Sequence, residues 1–125
     1  IPDCQVFGAD ISKYAIENAK PEIKEYLQIA NSNDLPYEDN YFDLVISLNT
    51  LHNLYCYDLK KSLKEIERVS KKYKYICVES YRNEVEKVNL LYWQVTCESF
   101  FTPDEWRWFF NEAKYSGDYY FIYFE

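Results

Sequence analysis

The sequence predicts an α/β domain: a doubly wound, mostly parallel sheet with flanking helices. Short apolar runs alternate along the chain with stretches whose apolar positions recur at helical spacing, the pattern of strand–helix–strand units. Two of the runs, residues 41–48 (YFDLVISL) and 75–80 (YICVES), are rich in β-branched and aromatic residues and apolar on both faces, as strands buried between helical layers must be. A length of 125 residues with 48% apolar and 28% charged composition fits one core, and no linker or repeat divides it, so residues 1–125 read as a single domain.

Residues 4–9 (CQVFGA) read as a first strand ending at Asp10. Ser12 can cap a helix through about Lys20, with Ala15, Ile16 and Ala19 on one face and Pro21 closing it. Residues 26–30 (YLQIA) form a second strand that runs into the polar loop Asn31-Ser32-Asn33-Asp34, then Leu35-Pro36-Tyr37 and an acidic turn of Glu38, Asp39 and Asn40. The strand at 41–48 follows. From Asp58 to about Lys72, Leu59, Leu63, Ile66 and Val69 make a helical stripe against Lys60, Lys61, Lys64, Glu65 and Arg68. After the strand at 75–80 comes a polar helix or loop containing Tyr92 and Trp93. Thr102 at an N-cap, Pro103 at the first helical position and Glu105 three residues past the cap start a last helix, with Trp106, Phe109, Phe110 and Ala113 as its apolar face. Ser116-Gly117-Asp118 is a turn into a final strand at 119–125.

Composition narrows the function. Fourteen Lys plus Arg against 21 Asp plus Glu leave a net charge of −7 with no basic cluster, which argues against a duplex or anionic-membrane binder. Two glycines leave no room for a Gly-rich phosphate loop. Cys4, Cys56, Cys77 and Cys97 lack the CxxC and CxxH pairings of a metal site and read as free thiols in a reducing compartment. No run approaches the ~18 apolar residues of a membrane span. These features set the expectation of a cytoplasmic protein without a metal, and a first residue Ile1 suggests an N-terminal segment has been removed.

In an open parallel sheet, ligands bind beyond the carboxyl ends of the strands. Three such ends are polar: Asp10, the loop Asn31–Asp34, and Asn49-Thr50-Leu51-His52-Asn53. An acidic residue there can accept hydrogen bonds from both hydroxyls of a ribose, Asn31 could meet a purine edge, and Ile11 and Leu35 offer apolar faces for the ring. Each residue also has a plainer reading. Asp10 and Ser12 suit an ordinary helix-capping loop, and Asn31 suits a turn. His52 suits a half-buried, hydrogen-bonded residue as well as a base. Glu79 could be a perturbed carboxylate or a rim residue.

The order of the pieces adds to this. Val6-Phe7-Gly8-Ala9-Asp10-Ile11-Ser12, Asn31-Ser32-Asn33-Asp34-Leu35-Pro36-Tyr37, Tyr41-Phe42-Asp43-Leu44-Val45-Ile46-Ser47 and Leu51-His52-Asn53-Leu54 together resemble the class I S-adenosylmethionine-dependent methyltransferases, in particular the type 11-like domain. The resemblance implies a Rossmann-like methyltransferase fold and S-adenosyl-L-methionine as cofactor. It implies Asp10 on the ribose hydroxyls and Ile11 against the adenine. Asn31 and Ser32 stand where the family has Asp-Ala near the adenine amino group, and Leu48 and Asn49 lie under the donor near the transferred methyl. His52 is the candidate general base.

The family's first strand and Gly-rich loop are expected before Ile1, with Ile1-Pro2-Asp3 as the end of a connection. The fold is then incomplete at the N-terminus and the segment inactive by itself. In the family that strand lies between the strands ending at Asp10 and Leu48. Its absence would expose two inner edges and favour a homo-oligomer. The Asn/Asp-Pro-Pro-aromatic signature of many amino-group methylating enzymes does not follow the strand at 41–48, where the chain reads Asn49-Thr50-Leu51-His52. With the negative charge, this favours a small-molecule methyl acceptor, with neither nucleic acid nor membrane as partner. The alternative is a non-catalytic methyltransferase-like interaction domain that has lost the cofactor loop, and a nicotinamide-dependent dehydrogenase half is a third reading.

Overall fold

The computed structural model describes residues 3–125, so the reading of Ile1 and Pro2 as the end of a connection lies outside the described residues. The elements in chain order are β1 (Gly8–Asp10), α1 (Lys13–Glu17), α2 (Pro21–Lys24), β2 (Leu27–Ile29), β3 (Phe42–Leu48), a 3-10 turn (Leu51–Asn53), α3 (Cys56–Val69), β4 (Ser70–Glu79), α4 (Glu84–Trp93), α5 (Pro103–Glu112) and β5 (Asp118–Ile122). The strands pair as β1-β2 and as β3-β4-β5, parallel throughout. The α/β architecture is therefore as the sequence predicts, with the sheet in two separate parts among the described residues.

Several boundaries move. Ser12 does cap α1, its Oγ accepting from the Ala15 N–H at 3.2 Å, but the helix stops at Glu17. Pro21 opens α2 instead of closing α1, because a proline at the first helical position gives up an N–H that has no partner there anyway. Helix α3 begins at Cys56 and ends at Val69, since Ser70 turns extended and starts β4 directly, five residues earlier than the apolar run suggests. The segment after β4 is helical, capped by Asn83 Oδ1 accepting from Glu86 N–H at 3.0 Å. Cys97 alone is buried among the free cysteines, with Cys77 half-buried and Cys4 and Cys56 exposed.

The core lies between the three-stranded sheet and helices α3 and α5. Leu59, Leu63 and Ile66 of α3 pack with Ile76 and Val78 of β4, Trp106, Phe110 and Ala113 at α5, and Phe121 of β5. The capping box of α5 forms as its sequence implies, Thr102 N–H donating to Glu105 Oε2 at 2.7 Å and Thr102 Oγ1 accepting from Glu105 N–H at 3.4 Å. The entry to β5 is anchored by buried Lys74, whose Nζ donates to Glu67 Oε1 at 2.7 Å and Ser116 Oγ at 3.0 Å. Gly117 is required there by close approach, because a Cβ would sit 2.6 Å from the Lys74 carbonyl oxygen.

A charged knot holds the Leu35-Pro36-Tyr37 loop. Arg68 donates to Glu65 Oε1 and Oε2 at 2.7 Å, to Asp39 Oδ1 at 2.8 Å, and to the Tyr37 and Leu35 carbonyls at 2.7 and 3.0 Å, while Leu35 N–H donates to Glu65 Oε2 at 2.8 Å. The Arg68 hydrogen bonds hold the Glu65 carboxyl below the ordinary carboxylate range. On sequence these residues read as the solvated face of a helix. Arg68→Ala frees both carbonyls and the carboxylate together, and is expected to cost about 2–3 kcal/mol at the upper end of single charged hydrogen bonds. Urea denaturation with an unchanged m-value checks this, and an unshifted midpoint would mean the knot is a surface ornament.

Candidate functional site

The sequence-selected residues gather at the carboxyl edge of both sheets. Asp10 ends β1, and Ala30 N–H donates to its carbonyl at 3.1 Å, which places the loop after β2 next to it. The Asp10 side chain is oriented by its own turn, Oδ1 accepting from Ser12 N–H at 2.8 Å, and it is exposed. Ile11 beside it is 70% exposed. Asn31 is exposed and caps its own turn, Oδ1 accepting from Asn33 N–H at 3.2 Å. Ser32 Oγ lies 2.8 Å from Ser62 Oγ and Asn33 Nδ2 donates to Asp58 Oδ1 at 2.8 Å, so this loop is docked on α3.

On the other sheet Leu48 ends β3, 57% exposed, and Asn49 follows with φ 52°, a left-handed conformation that Asn tolerates better than most residues. Its N–H donates to the Cys77 carbonyl at 2.9 Å. The carboxyl edge thus turns sharply away from the sheet just past Leu48.

A cleft of about 280 Å³ separates the two sheets, lined by Phe7, Gly8 and Ala9 on one side and by β3 from Phe42 to Leu48 on the other. It brings Ser32 and Leu48 together, but Asp10, Ile11, Asn31 and Asn49 are not in its lining. Phe42, Leu44, Val45, Ile46, Ser47 and Leu48 of β3 face Gly8 and Ala9 of β1 across it, with Ile66 and Val69 of α3 also in the lining. It is thus a gap between two strands, whereas a nucleotide in such folds lies across the strand ends. The cofactor candidates read from the sequence, Ser32 and Leu48 excepted, lie outside this slot between β1 and β3.

His52 sits in the turn after β3 and is fully buried. Its Nδ1 lies 3.5 Å from the Glu79 N–H, and its Nε2 faces Glu79 Oε2 at 3.5 Å. Neither Nε2 nor Oε2 has a hydrogen-bond partner. Burial pushes the imidazole pKa below its ordinary value and the Glu79 carboxyl above its own, the latter partly offset by the hydrogen bond from Gln94. The ring points to Glu79 and is not in the cleft lining. Nothing in the sequence distinguishes an imidazole turned into the sheet from one turned out.

Residues 2–78, from before β1 into β4, match the methyltransferase domain family, which is more than half of the chain. The chain belongs to this family. As a methyltransferase domain it is 32% identical over 91 residues to the tRNA (carboxymethyluridine(34)-5-O)-methyltransferase of Arabidopsis thaliana, covering 72% of this chain and 22% of that protein. It shares its fold with the YcgJ protein of Bacillus subtilis, at a TM-score of 0.65 and 22% identity over 86% of this chain and 50% of that one. A chain of the complex between the Haloferax volcanii Trm112 methyltransferase activator and a methyltransferase matches at a TM-score of 0.66 and 26% identity, again over 86% of this chain and 48% of the other. The domain therefore spans about half the length of these structures and 22% of the plant enzyme.

These relatives correct the partner expectation. The sequence reading favours a small-molecule acceptor, no nucleic acid and a homo-oligomer; a relative named for its action on tRNA and another seen with a different protein point elsewhere. The physical reason is that a net charge of −7 is a sum over the whole chain and does not describe any one face of it. Electrostatic attraction to RNA is set by the whole surface that meets it. No helix among the described residues is long and apolar enough to cross a membrane.

Proposed function

We propose that this domain is the donor-binding part of an S-adenosylmethionine-dependent methyltransferase that modifies RNA, with a carboxymethyl group on a transfer-RNA base as acceptor. The observation that carries it is the identity to the plant tRNA enzyme over residues whose strand-end polar groups gather on one edge. Asp10, oriented by Ser12, holds the ribose hydroxyls; exposed Ile11 covers the adenine face; Asn31 and Ser32 meet its edge; Leu48 and Asn49 lie beneath the reacting end. The cofactor supplies a methyl group on a positively charged sulfur. The protein's work is alignment and exclusion of water.

An acceptor carboxyl has an ordinary pKa of about 4 and is already anionic at neutral pH. Its oxygen attacks without losing a proton, so the reaction needs no base, and the burial of His52 is no obstacle. A hydroxyl or amine acceptor would be harder to reconcile with that burial.

Tyr55 and Tyr57 support an RNA acceptor. They stand at the start of α3, on the carboxyl edge, 52% and 62% exposed, with rings parallel within 11° and centroids 5.7 Å apart. Exposed parallel rings are a surface on which an unstacked base can lie, a contact of about 1–3 kcal/mol per base. Tyr57→Ala is expected to weaken tRNA binding about tenfold while leaving S-adenosylhomocysteine affinity unchanged, and Tyr57→Phe to restore it. Equal tRNA affinity of wild type and Tyr57→Ala in a filter-binding titration would remove the pair from the RNA surface.

The full-length protein, alone and with a Trm112-type activator, is the material for the main test. Calorimetric titration with S-adenosylhomocysteine is expected to show binding that Asp10→Ala weakens by at least about 1.4 kcal/mol, or tenfold. Transfer of labelled methyl to unfractionated tRNA but not to free carboxylic acids completes it. Absence of cofactor binding in both preparations would leave a methyltransferase-like interaction domain.

The family fold also places a strand between β1 and β3, and the slot described above is lined by those two unpaired edges. We infer that the intact enzyme fills it with a strand of its own chain.

A further inference from the structure

His52 and Glu79 are costly residues in the positions they occupy. Both are at most 3% exposed, and the two facing atoms, Nε2 and Oε2, lack any closer partner. Replacing such a buried pair by apolar groups of similar volume is commonly neutral or stabilising. Stability of the core therefore does not require this pair, and its geometry shows which segments it ties together.

The pair joins three chain segments at the carboxyl edge. His52 belongs to the turn that begins at Asn49, and Glu79 ends β4. Glu79 Oε1 accepts from Gln94 Nε2 at 2.6 Å, at the end of α4. The segment that follows is laid on the turn: Glu98 and Ser99 N–H donate to the His52 carbonyl at 2.9 and 3.0 Å, Thr96 Oγ1 donates to Asn53 Oδ1 at 3.0 Å, and Ser99 Oγ donates to the Leu54 carbonyl at 2.5 Å. Because Nδ1 faces the Glu79 backbone N–H, the ring proton sits on Nε2 and points at Oε2. A doubly protonated ring would set two N–H groups against each other, so the titrating member is Glu79. Its ionised form accepts from Gln94 and sets a charged Oε2 3.5 Å from His52 Nε2.

We propose that His52 and Glu79 are positioning residues, whose buried contact fixes the Asn49–Asn53 turn and thereby seats Leu48 and Asn49 under the methyl donor. This rests on the cofactor reading above and adds Glu79 to the residues that serve it. The titratable groups beside the pair are Cys77 on β4 and Cys97 and Glu98 on the segment after α4; burial pushes both thiols up, and the Glu79 charge adds to it.

The test uses the full-length protein and S-adenosylhomocysteine. The double variant His52→Leu/Glu79→Leu is expected to keep or raise Tm yet bind S-adenosylhomocysteine about tenfold more weakly. Unchanged affinity with Tm retained overturns the proposal. Should that variant not fold, Glu79→Gln decides: wild-type affinity is expected to rise with pH as Glu79 ionises, above the ordinary carboxyl range, and the profile of Glu79→Gln to be flat. Matching profiles overturn the proposal. A wild type that does not bind at all overturns both readings, whereas binding lost in Asp10→Ala but untouched in the pair variants overturns this one alone.

Discussion

The backbone amides of β3 are expected to exchange with solvent slowly in the full-length enzyme and orders of magnitude faster in residues 1–125 expressed alone, with a stability difference of several kcal/mol between the two. The size follows from what the slot exposes. Leu44, Ile46 and Leu48 are 46%, 56% and 57% exposed on a strand whose other edge pairs with β4 continuously from Leu44 to Leu48. Covering half of each such side chain contributes about 1 kcal/mol. Pairing the edge adds net hydrogen bonds of about 1 kcal/mol each. Hydrogen exchange read by mass spectrometry on peptides spanning residues 42–48 separates the two materials. Equal protection in both would mean that no strand of the enzyme enters the slot, and the order of the family sheet would not apply.

The same slot explains which parts of the fold were legible in the sequence. Strand β3 and helices α3 and α5 carry strong local signals: β-branched runs, an apolar stripe at helical spacing, and a capping box. Strand β1 reads as six residues in the sequence but pairs only over Gly8–Asp10, because β2 offers just three partners from Leu27 to Ile29. Strand length is a property of the neighbour, which periodicity cannot supply. Asp10 and Asn31 could be chosen because the strand ends are polar and the sheet is parallel, Ser32, Leu48 and Asn49 only through the family resemblance, and the fold puts all of them at the carboxyl ends of β1, β2 and β3.

Arg68 was invisible as a loop anchor for a related reason. Its partners, Leu35, Tyr37 and Asp39, lie some thirty positions away in sequence, and a helix face with Lys60, Lys61 and Lys64 gives no sign that one cation turns inward. The inward rotation of His52 is likewise decided by Glu79, on a different strand. Acceptor chemistry was hidden more deeply still. A net charge counted over 125 residues does not say how that charge is distributed on the face that meets an acceptor.

Trp106→Ala is expected to be the most damaging single core substitution, costing about 3–5 kcal/mol by loss of transfer energy and creation of a cavity. Trp106 is fully buried, packed edge-on against Phe101 at 5.4 Å and stacked on Phe110 at 6.0 Å. Its Nε1–H also donates to the Glu79 carbonyl at 3.1 Å, so the largest core side chain holds the backbone of the residue that faces His52. Trp106→Phe separates the two contributions. It keeps much of the ring volume and leaves the Glu79 carbonyl without its donor, so it is expected to cost less stability than Trp106→Ala while still shifting the pH profile of S-adenosylhomocysteine binding. Chemical denaturation gives the first quantity and calorimetric titration across pH the second. A Trp106→Phe variant that loses stability but keeps the wild-type profile would confine Trp106 to packing. A shifted profile would mean that the hydrophobic core and the methyl-donor edge are coupled through one carbonyl at the end of β4.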